Sequence, residues 1–268
     1  MEKRGVESSR LNMELMLCHL MGLSRVELYT NFEKPLKKSE VEKLNSWVKR
    51  RTQKEPLQYI LGSTEFLGLK INLNPSVLIP RPETEMIILE AEKRFSKDAE
   101  IEILDIGTGS GCLAVKLAKE YPNSKVYGID IDPAALKTAN ENAKLNKTEN
   151  VSFKQMNILE EKIDYKFDLV VSNPPYIPKN EIHELDKDVK DHEPVSALTD
   201  SADGLTFYRR FNKIFKEILK KDGKFLIEIG YGQYPQISEI LESKHYKTEV
   251  LEDFSGIKRI IIGNLFSN

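Results

Sequence analysis

The segment Val170-Val171-Ser172-Asn173-Pro174-Pro175-Tyr176 closes an apolar run at 167–172 and has the residue types to hold a planar nitrogen. Consecutive prolines carry no backbone N–H and set a stiff turn. Such a turn offers acceptors, here the Asn173 amide oxygen and the Pro174 carbonyl. A pair of acceptors suits the two hydrogens of an NH₂ group, and Tyr176 adds a planar face for stacking. The competing reading is a rigid strand end with a packed tyrosine.

Upstream lies Leu104-Asp105-Ile106-Gly107-Thr108-Gly109-Ser110-Gly111, a G-x-G-x-G loop after another apolar run. Glycines there let backbone approach a ligand, and the helix that follows points its amide dipole at the same place. The loop is one residue short of the dinucleotide fingerprint and has no P-loop lysine. Asp105, just before the glycines, suits a cationic amine better than a pyrophosphate. About twenty residues on, Gly128-Ile129-Asp130 ends the next apolar run, where an acid meets ribose hydroxyls in doubly wound folds. The alternative for Asp130 is to cap the helix after Pro133, although Asp132 fits that task better. Loop and acid together point to an adenosine-bearing ligand. Asn157 stands where a side-chain amide reads an adenine edge, or where a turn needs an asparagine. His192, between Asp191 and Glu193, reads as a loop-anchoring hydrogen-bonder rather than a general base. Cys112 reads as a small residue packed behind the loop.

The Asn-Pro-Pro-Tyr segment resembles the motif of methyltransferases that act on planar amide or amino nitrogens, in nucleic acid or glutamine. Three further segments narrow the likeness: Glu55-Pro56-Leu57-Gln58-Tyr59-Ile60-Leu61-Gly62, Leu78-Ile79-Pro80-Arg81-Pro82-Glu83-Thr84-Glu85, and Asp191-His192-Glu193-Pro194 with Ala197-Leu198. Together they are similar to the HemK/PrmC family of protein-(glutamine-N5) methyltransferases, over nearly the whole chain except residues 1–10. The resemblance implies S-adenosyl-L-methionine as cofactor and the Gly-Gly-Gln glutamine of peptide-chain release factors as substrate, with no metal. It sets Gly107, Gly109 and Gly111 against the methionine portion, in a cofactor loop with Asp105, Thr108 and Ser110. It also sets Asp130 on the ribose, and Asn157 and Ile158 at the adenine. Asn173, Pro174, Pro175 and Tyr176 form the catalytic turn, with Asn173 also bordering the cofactor. Two rivals stand beside it: an N6-adenine methyltransferase using the same acceptors on a flipped base, and a non-enzymatic adaptor of the same fold.

The elements that must position these groups follow from periodicity. Apolar runs at 101–106, 125–129, 151–155, 167–172, 224–229 and 258–262 read as strands, and amphipathic stretches at 111–120, 133–145, 204–221 and 235–243 as helices. That alternation predicts an α/β parallel sheet covered on both faces. The family likeness makes it a seven-stranded, doubly wound Rossmann-like sheet with the last strand antiparallel. The stretch 173–203 has neither period and reads as a functional loop. Before the sheet, 64–79 alternates with period two, and Asn74-Pro75-Ser76 marks the turn of a hairpin. The first sixty residues read as helices. Leu11, Leu15, Leu17, Leu20 and Met21 form one apolar face behind a Ser8 or Ser9 cap, and Val41, Leu44, Trp47 and Val48 form another. Capping boxes are expected at Ser24/Glu27 and Ser39/Glu42. The expected domains are thus a helical, substrate-docking 1–63, a hairpin linker 64–82, and the methyltransferase domain 83–268.

Charge is divided unevenly along the chain. Forty Lys+Arg against 42 Asp+Glu give −2 overall, but residues 1–56 hold 12 basic and 8 acidic residues (+4), leaving −6 for the remainder. A basic helix face of Lys37, Lys38, Lys43, Lys49, Arg50, Arg51 and Lys54 is either a solvated surface or a dock for an acidic partner. An acidic catalytic half argues against a nucleic-acid substrate. No apolar run nears the ~20 residues of a membrane span. Two cysteines make no disulfide framework. The expectation is a reduced, cytoplasmic enzyme with no membrane partner, one that does not require an oligomer.

Overall fold

The computed structural model describes residues 1–31, 33–241 and 245–266. Four helices open the chain: α1 (Ser9–Met21), α2 (Arg25–Thr30), α3 (Lys38–Thr52) and α4 (Leu57–Leu61). They close around Met16, Trp47 and Ile60. The Ser24/Glu27 box forms in both directions, at 2.7 and 3.2 Å. The Ser39/Glu42 box does not, because α3 begins earlier and Glu40 accepts the Lys37 N–H at 2.7 Å. Neither Ser8 nor Ser9 caps α1: Ser8 is left-handed without a side-chain bond, and the Ser9 hydroxyl donates to the Val6 carbonyl. Leu11 and Val41 face outward instead of inward. In α1 the covered positions include Glu14, which takes Arg10, Arg25 and Tyr29. Those partners, Tyr29 foremost, hold its carboxyl down at about 2.

The hairpin is β1 (Ser63–Phe66) and β2 (Leu69–Asn72), paired antiparallel with Phe66 opposite Leu69. Its turn is therefore Leu67-Gly68, both left-handed at φ 44° and 77°, the two-residue geometry that matches strand twist. Asn74-Pro75-Ser76, the expected turn, is an Asx turn beyond the hairpin, with the Ser76 N–H on Asn74 Oδ1. Phe66, Leu69, Ile71, Leu73, Val77 and Ile79 are buried in one cluster with the main sheet. Tyr59 of α4 joins them and donates its hydroxyl to the Val77 carbonyl at 2.6 Å.

Beyond α5 (Glu85–Arg94) comes the alternation expected: β3 (Glu102–Ile106), α6 (Cys112–Glu120), β4 (Lys125–Asp130), α7 (Pro133–Leu145), β5 (Val151–Gln155) and β6 (Phe167–Ser172). Residues 173–203 hold short helical pieces, among them α8 (Lys187–Lys190) and α9 (Val195–Leu198). The chain ends with α10 (Thr206–Ile218), β7 (Leu219–Glu228), α11 (Tyr234–Leu241), β8 (Tyr246–Glu252) and β9 (Lys258–Leu265). The seven strands run in the order β5-β4-β3-β6-β7-β9-β8, parallel except for β9, which pairs antiparallel with both neighbours. The helix expected to reach residue 221 stops at Ile218. Leu219 already pairs with Phe167 across a register shift, and Lys220 leaves helical geometry to reach Glu102 and Asp168. Residues 242 and 243 of the expected helix 235–243 lie outside the described residues. The strand at 246–252 is an edge strand whose weak alternation conceals it in the sequence. No described helix is long and apolar enough to cross a membrane.

Candidate active site

Strand order reverses between β3 and β6, and a crevice opens outside the carboxyl ends of such strands. One cavity occupies that crevice. Its walls include Gly107, Thr108, Gly109 and Ser110 after β3, Asp130 at the end of β4, Asn157 and Ile158 after β5, and Asn173, Pro174 and Pro175 after β6. Val77, Leu78 and Pro80 beyond the hairpin close one side, and Ser196 and Ala197 of the 173–203 segment another. No Lys, Arg or His is among these described wall residues, while Asp130 and Asp132 are. A phosphate-bearing ligand would find no counter-charge here, and a cation would.

Gly107 and Gly109 are left-handed, at φ 72° and 54°; a Cβ on Gly107 would meet nothing within 4 Å. Their open side is the cavity, so backbone forms this wall. Gly111 does different work. A Cβ there would come within 2.9 Å of Ala139 Cβ, so this glycine seats α6 against α7 and is not a wall residue. Asp105 likewise stands behind the loop, its Oδ2 accepting from Thr108 Oγ1 at 2.6 Å and the Ala114 N–H at 3.2 Å. Its Oδ1 has no hydrogen-bond partner among the described residues. Burial pushes this carboxyl up to about 7. The two expected direct contacts, Asp105 and Gly111, are thus one layer removed from the cavity.

Asp130 accepts the Gly109 N–H at 2.9 Å and the Asp132 N–H at 3.0 Å. Burial raises its carboxyl above the ordinary range. An ionised carboxylate still has acceptor capacity beyond those two bonds. Asp132, as expected, caps α7 through the Ala134 N–H. Asn157 holds an Asx turn, its Oδ1 taking the Leu159 N–H at 3.1 Å, so the end it offers the cavity is the donor NH₂. The loop leans on a buried neighbour: Asn142 donates to the Ser110 carbonyl and to the Asn72 carbonyl, and accepts the Asn72 N–H. The hairpin and the glycine loop thereby share one amide.

Opposite stands the acceptor wall. Asn173 Nδ2 donates to Thr84 Oγ1 at 3.0 Å, and that hydroxyl donates to Glu228 Oε2 at 2.6 Å. Asn173 Oδ1 and the Pro174 carbonyl accept no hydrogen bond from the described residues, leaving two acceptors at the cavity edge. Tyr176 is not a wall residue. Its ring stands behind the turn with its hydroxyl 3.4 Å from Glu228 Oε1, and its carbonyl accepts Gln233 Nε2 at 2.8 Å. Glu193 anchors the 173–203 segment, pairing with Arg81 at 2.6 Å and accepting the Ile79 N–H at 3.3 Å. The His192 imidazole makes no hydrogen bond to the described residues, so the anchor is the next residue along. The Cys112 thiol is pushed up to about 12 by burial, as befits a packed residue. Glu228, Gln233 and Asn142 were not anticipated. A glutamate inside the apolar run 224–229 was the one available signal.

Sheet order, backbone-lined loop and acid-ended β4 define a methyltransferase. Residues 97–260 match the family model described as "Methyltransferase domain", and residues 1–62 match "PrmC N-terminal domain". The chain belongs to the release factor glutamine methyltransferase family. It is 40% identical to the release factor glutamine methyltransferase of Geobacter sulfurreducens over 98% of this chain and 92% of that one. It is 39% identical to that of Fusobacterium nucleatum over 98% and 75%. A methyltransferase structure from Pyrococcus furiosus shares the fold at a TM-score of 0.55 and 20% identity, covering 74% of this chain and 89% of that one. The cofactor of the family is S-adenosyl-L-methionine, and the open glycine backbone and cation-compatible walls fit it.

Proposed function

We propose that this chain methylates the side-chain amide nitrogen of the glutamine in the Gly-Gly-Gln motif of peptide-chain release factors. The observation that carries this reading is the junction, in one cavity, of an acid-lined glycine cleft with two open acceptors, Asn173 Oδ1 and the Pro174 carbonyl. S-adenosyl-L-methionine supplies an electrophilic methyl group when bound. Gly107, Thr108, Gly109 and Ser110 line its methionine end, Asp130 takes the ribose, and Asn157 and Ile158 border the adenine. Asp105 and Gly111 hold that loop in shape.

An amide nitrogen is a poor nucleophile because its lone pair is delocalised into the carbonyl. Acceptors on both N–H bonds draw charge onto the nitrogen and turn its lone pair toward the cleft. Fixing that orientation removes part of the barrier in advance, up to ~7–11 kcal/mol for well-oriented reactants. Both hydrogens stay covalently on nitrogen, hydrogen-bonded to Asn173 Oδ1 and the Pro174 carbonyl, and one passes to solvent water once methylation has made the nitrogen acidic. Pro175 keeps the turn stiff, and Tyr176 braces it from behind.

Residues 1–63 are the docking domain in this reading, with Lys37, Lys38, Lys43 and Lys49 exposed toward an acidic partner. Arg50, Arg51 and Lys54 of the same face are spent internally, on Glu55, Asp188 and the Gly5 carbonyl. The −6 balance of the catalytic half and the uncharged or acidic walls favour a protein glutamine over a base on a charged strand. The reading takes one chain as sufficient and, with a translation factor as substrate, a cytoplasmic enzyme. Labelled methyl transfer onto purified release factor, DNA and tRNA in parallel tests it. Label on the release-factor glutamine alone is expected; label on adenine would replace this reading with the nucleic-acid one.

A further inference from the structure

We propose that Glu228, acting through Thr84, is a positioning residue that fixes which end of the Asn173 amide faces the substrate. The inference rests on the reading of Asn173 as the acceptor for the substrate NH₂. The two ends of an asparagine amide are nearly the same size, so packing alone does not choose between them. Inverted, Asn173 would set its own NH₂ against the NH₂ it has to hold, donor against donor.

Hydrogen-bond polarity makes the choice. Asn173 Nδ2 lies 3.0 Å from Thr84 Oγ1, and a threonine oxygen accepts there only while its single hydrogen is engaged elsewhere. That hydrogen is on Glu228 Oε2, 2.6 Å away. An ionised carboxylate has nothing to donate, so the chain runs one way: Asn173 N–H to Thr84, Thr84 O–H to Glu228. The second carboxylate oxygen faces the Tyr176 hydroxyl, which burial keeps protonated and therefore a donor as well. Three segments far apart in sequence thus meet at a carboxylate that makes no contact with the cavity. Protonated, Glu228 becomes a donor toward Thr84, the chain can reverse, and Asn173 is free to invert.

The surroundings bring that protonation within reach. Burial pushes the Glu228 carboxyl up to about 7. That position is the balance of burial and Glu83, which raise it, against the Thr84 and Tyr176 hydroxyls and Arg259 on β9, which lower it. Tyr208 on α10 donates to the Glu228 main-chain carbonyl, and the neutral Cys112 thiol of α6 completes the titratable neighbours. The working state is the ionised one, so turnover carries an acid limb that belongs to Glu228.

Single-turnover methyl transfer to purified release factor at saturating S-adenosyl-L-methionine tests this, from about pH 5.5 to about 9. Wild type should lose rate as pH falls through neutrality and level off about 3–10-fold down, at the rate of Glu228→Gln. Glu228→Gln, able to donate or accept, should be about 3–10-fold slower at high pH and should lack that limb. Thr84→Val should be slower by about 10–100-fold at every pH, and Thr84→Ser should recover most of that loss. Cofactor affinity, measured by calorimetry, should be the same in all four proteins, which also reports that each is folded. Without any substrate, the Asn173 side-chain amide signals in a nitrogen-15 NMR spectrum should titrate near neutrality in wild type and not in Glu228→Gln. An unchanged acid limb in Glu228→Gln, or a wild-type rate in Thr84→Val, would overturn the inference. A wild-type protein that never methylates release factor while its Asn173 signals titrate as described would sink the functional reading and leave the positioning intact.

Discussion

The cofactor wall and the acceptor wall of the cleft face each other across a few residues but are put together by different means. The cofactor wall comes from residues 106–158, and much of it is backbone: Gly107 and Gly109, with the Gly109 N–H held by Asp130. The acceptor wall is side chains joined over long stretches, by one hydrogen bond spanning 89 residues and another spanning 144. A backbone wall is specified by local spacing and fails when a glycine gains a side chain. A side-chain wall is specified by the tertiary fold and fails one hydrogen bond at a time.

The largest effect expected tests whether the cofactor wall is as local as its sequence span. Asn142 ties Ser110 to Asn72, and the hairpin fills the sheet's own core. A chain beginning at Pro82 should therefore fail to fold and bind no cofactor. One beginning at Glu55 keeps Tyr59 and the hairpin, and should bind cofactor yet methylate intact release factor poorly. Calorimetric titration of both truncated chains is the measurement; normal affinity from Pro82 onward would show that the glycine loop stands alone.

Next in size is Asn173→Ala, which removes the acceptor and should lower kcat by about 10²–10³ while sparing cofactor affinity. Asn173→Asp keeps an oxygen of the same reach and should fall between. Equal single-turnover rates for Ala and wild type would reduce Asn173 to a turn residue. On the other wall, Asp130→Ala should weaken cofactor binding by about 1.5–3 kcal/mol, the scale of a hydrogen bond to a charged group. An affinity unmoved by that change would remove Asp130 from the site.

The last effect separates stability from turnover. Glu228 and Asp105 titrate at about 7 in the folded protein, above the ~4 of an unfolded chain. Over that interval the folded state holds more protons than the unfolded one, so stability falls as pH rises from about 4.5 to about 7. Glu228→Gln removes one such cost and should raise stability at pH 8 by about 2–3 kcal/mol, several degrees in Tm. Thermal melts of both proteins at about pH 5 and 8 check the sign. A variant at once slower and more stable is the outcome that sharpens the comparison.

What could be read from the sequence follows the same division. The glycine loop, Asp130 and the Asp132 cap depend on spacings of a few residues, and each lies where spacing put it. Asn173 and Pro174 were legible as acceptors because the prolines dictate what a turn can offer. Thr84 was visible only inside a family motif, and Glu228 only as a charge in an apolar strand, because their meaning lies in each other. His192 drew attention for its residue type, whereas Glu193 does the anchoring through Arg81, a partner 112 residues away. The hairpin turn escaped because Leu67-Gly68 lacks the usual asparagine before glycine. The edge strand 246–252 escaped because its alternation is weak.

The antiparallel β9 has a consequence in the order of synthesis. It lies between β7 and β8, so the inner strand that carries Glu228 has an unpaired edge until residues 258–265 have left the ribosome. Chains emerge from the amino end, at about 5–20 residues per second. The strands bearing the glycine loop and Asp130 can pair long before then; the strand beneath the acceptor wall gains its second neighbour only after β8 has also been made. A nascent chain of this protein therefore acquires the means to hold a cofactor well before the means to use it.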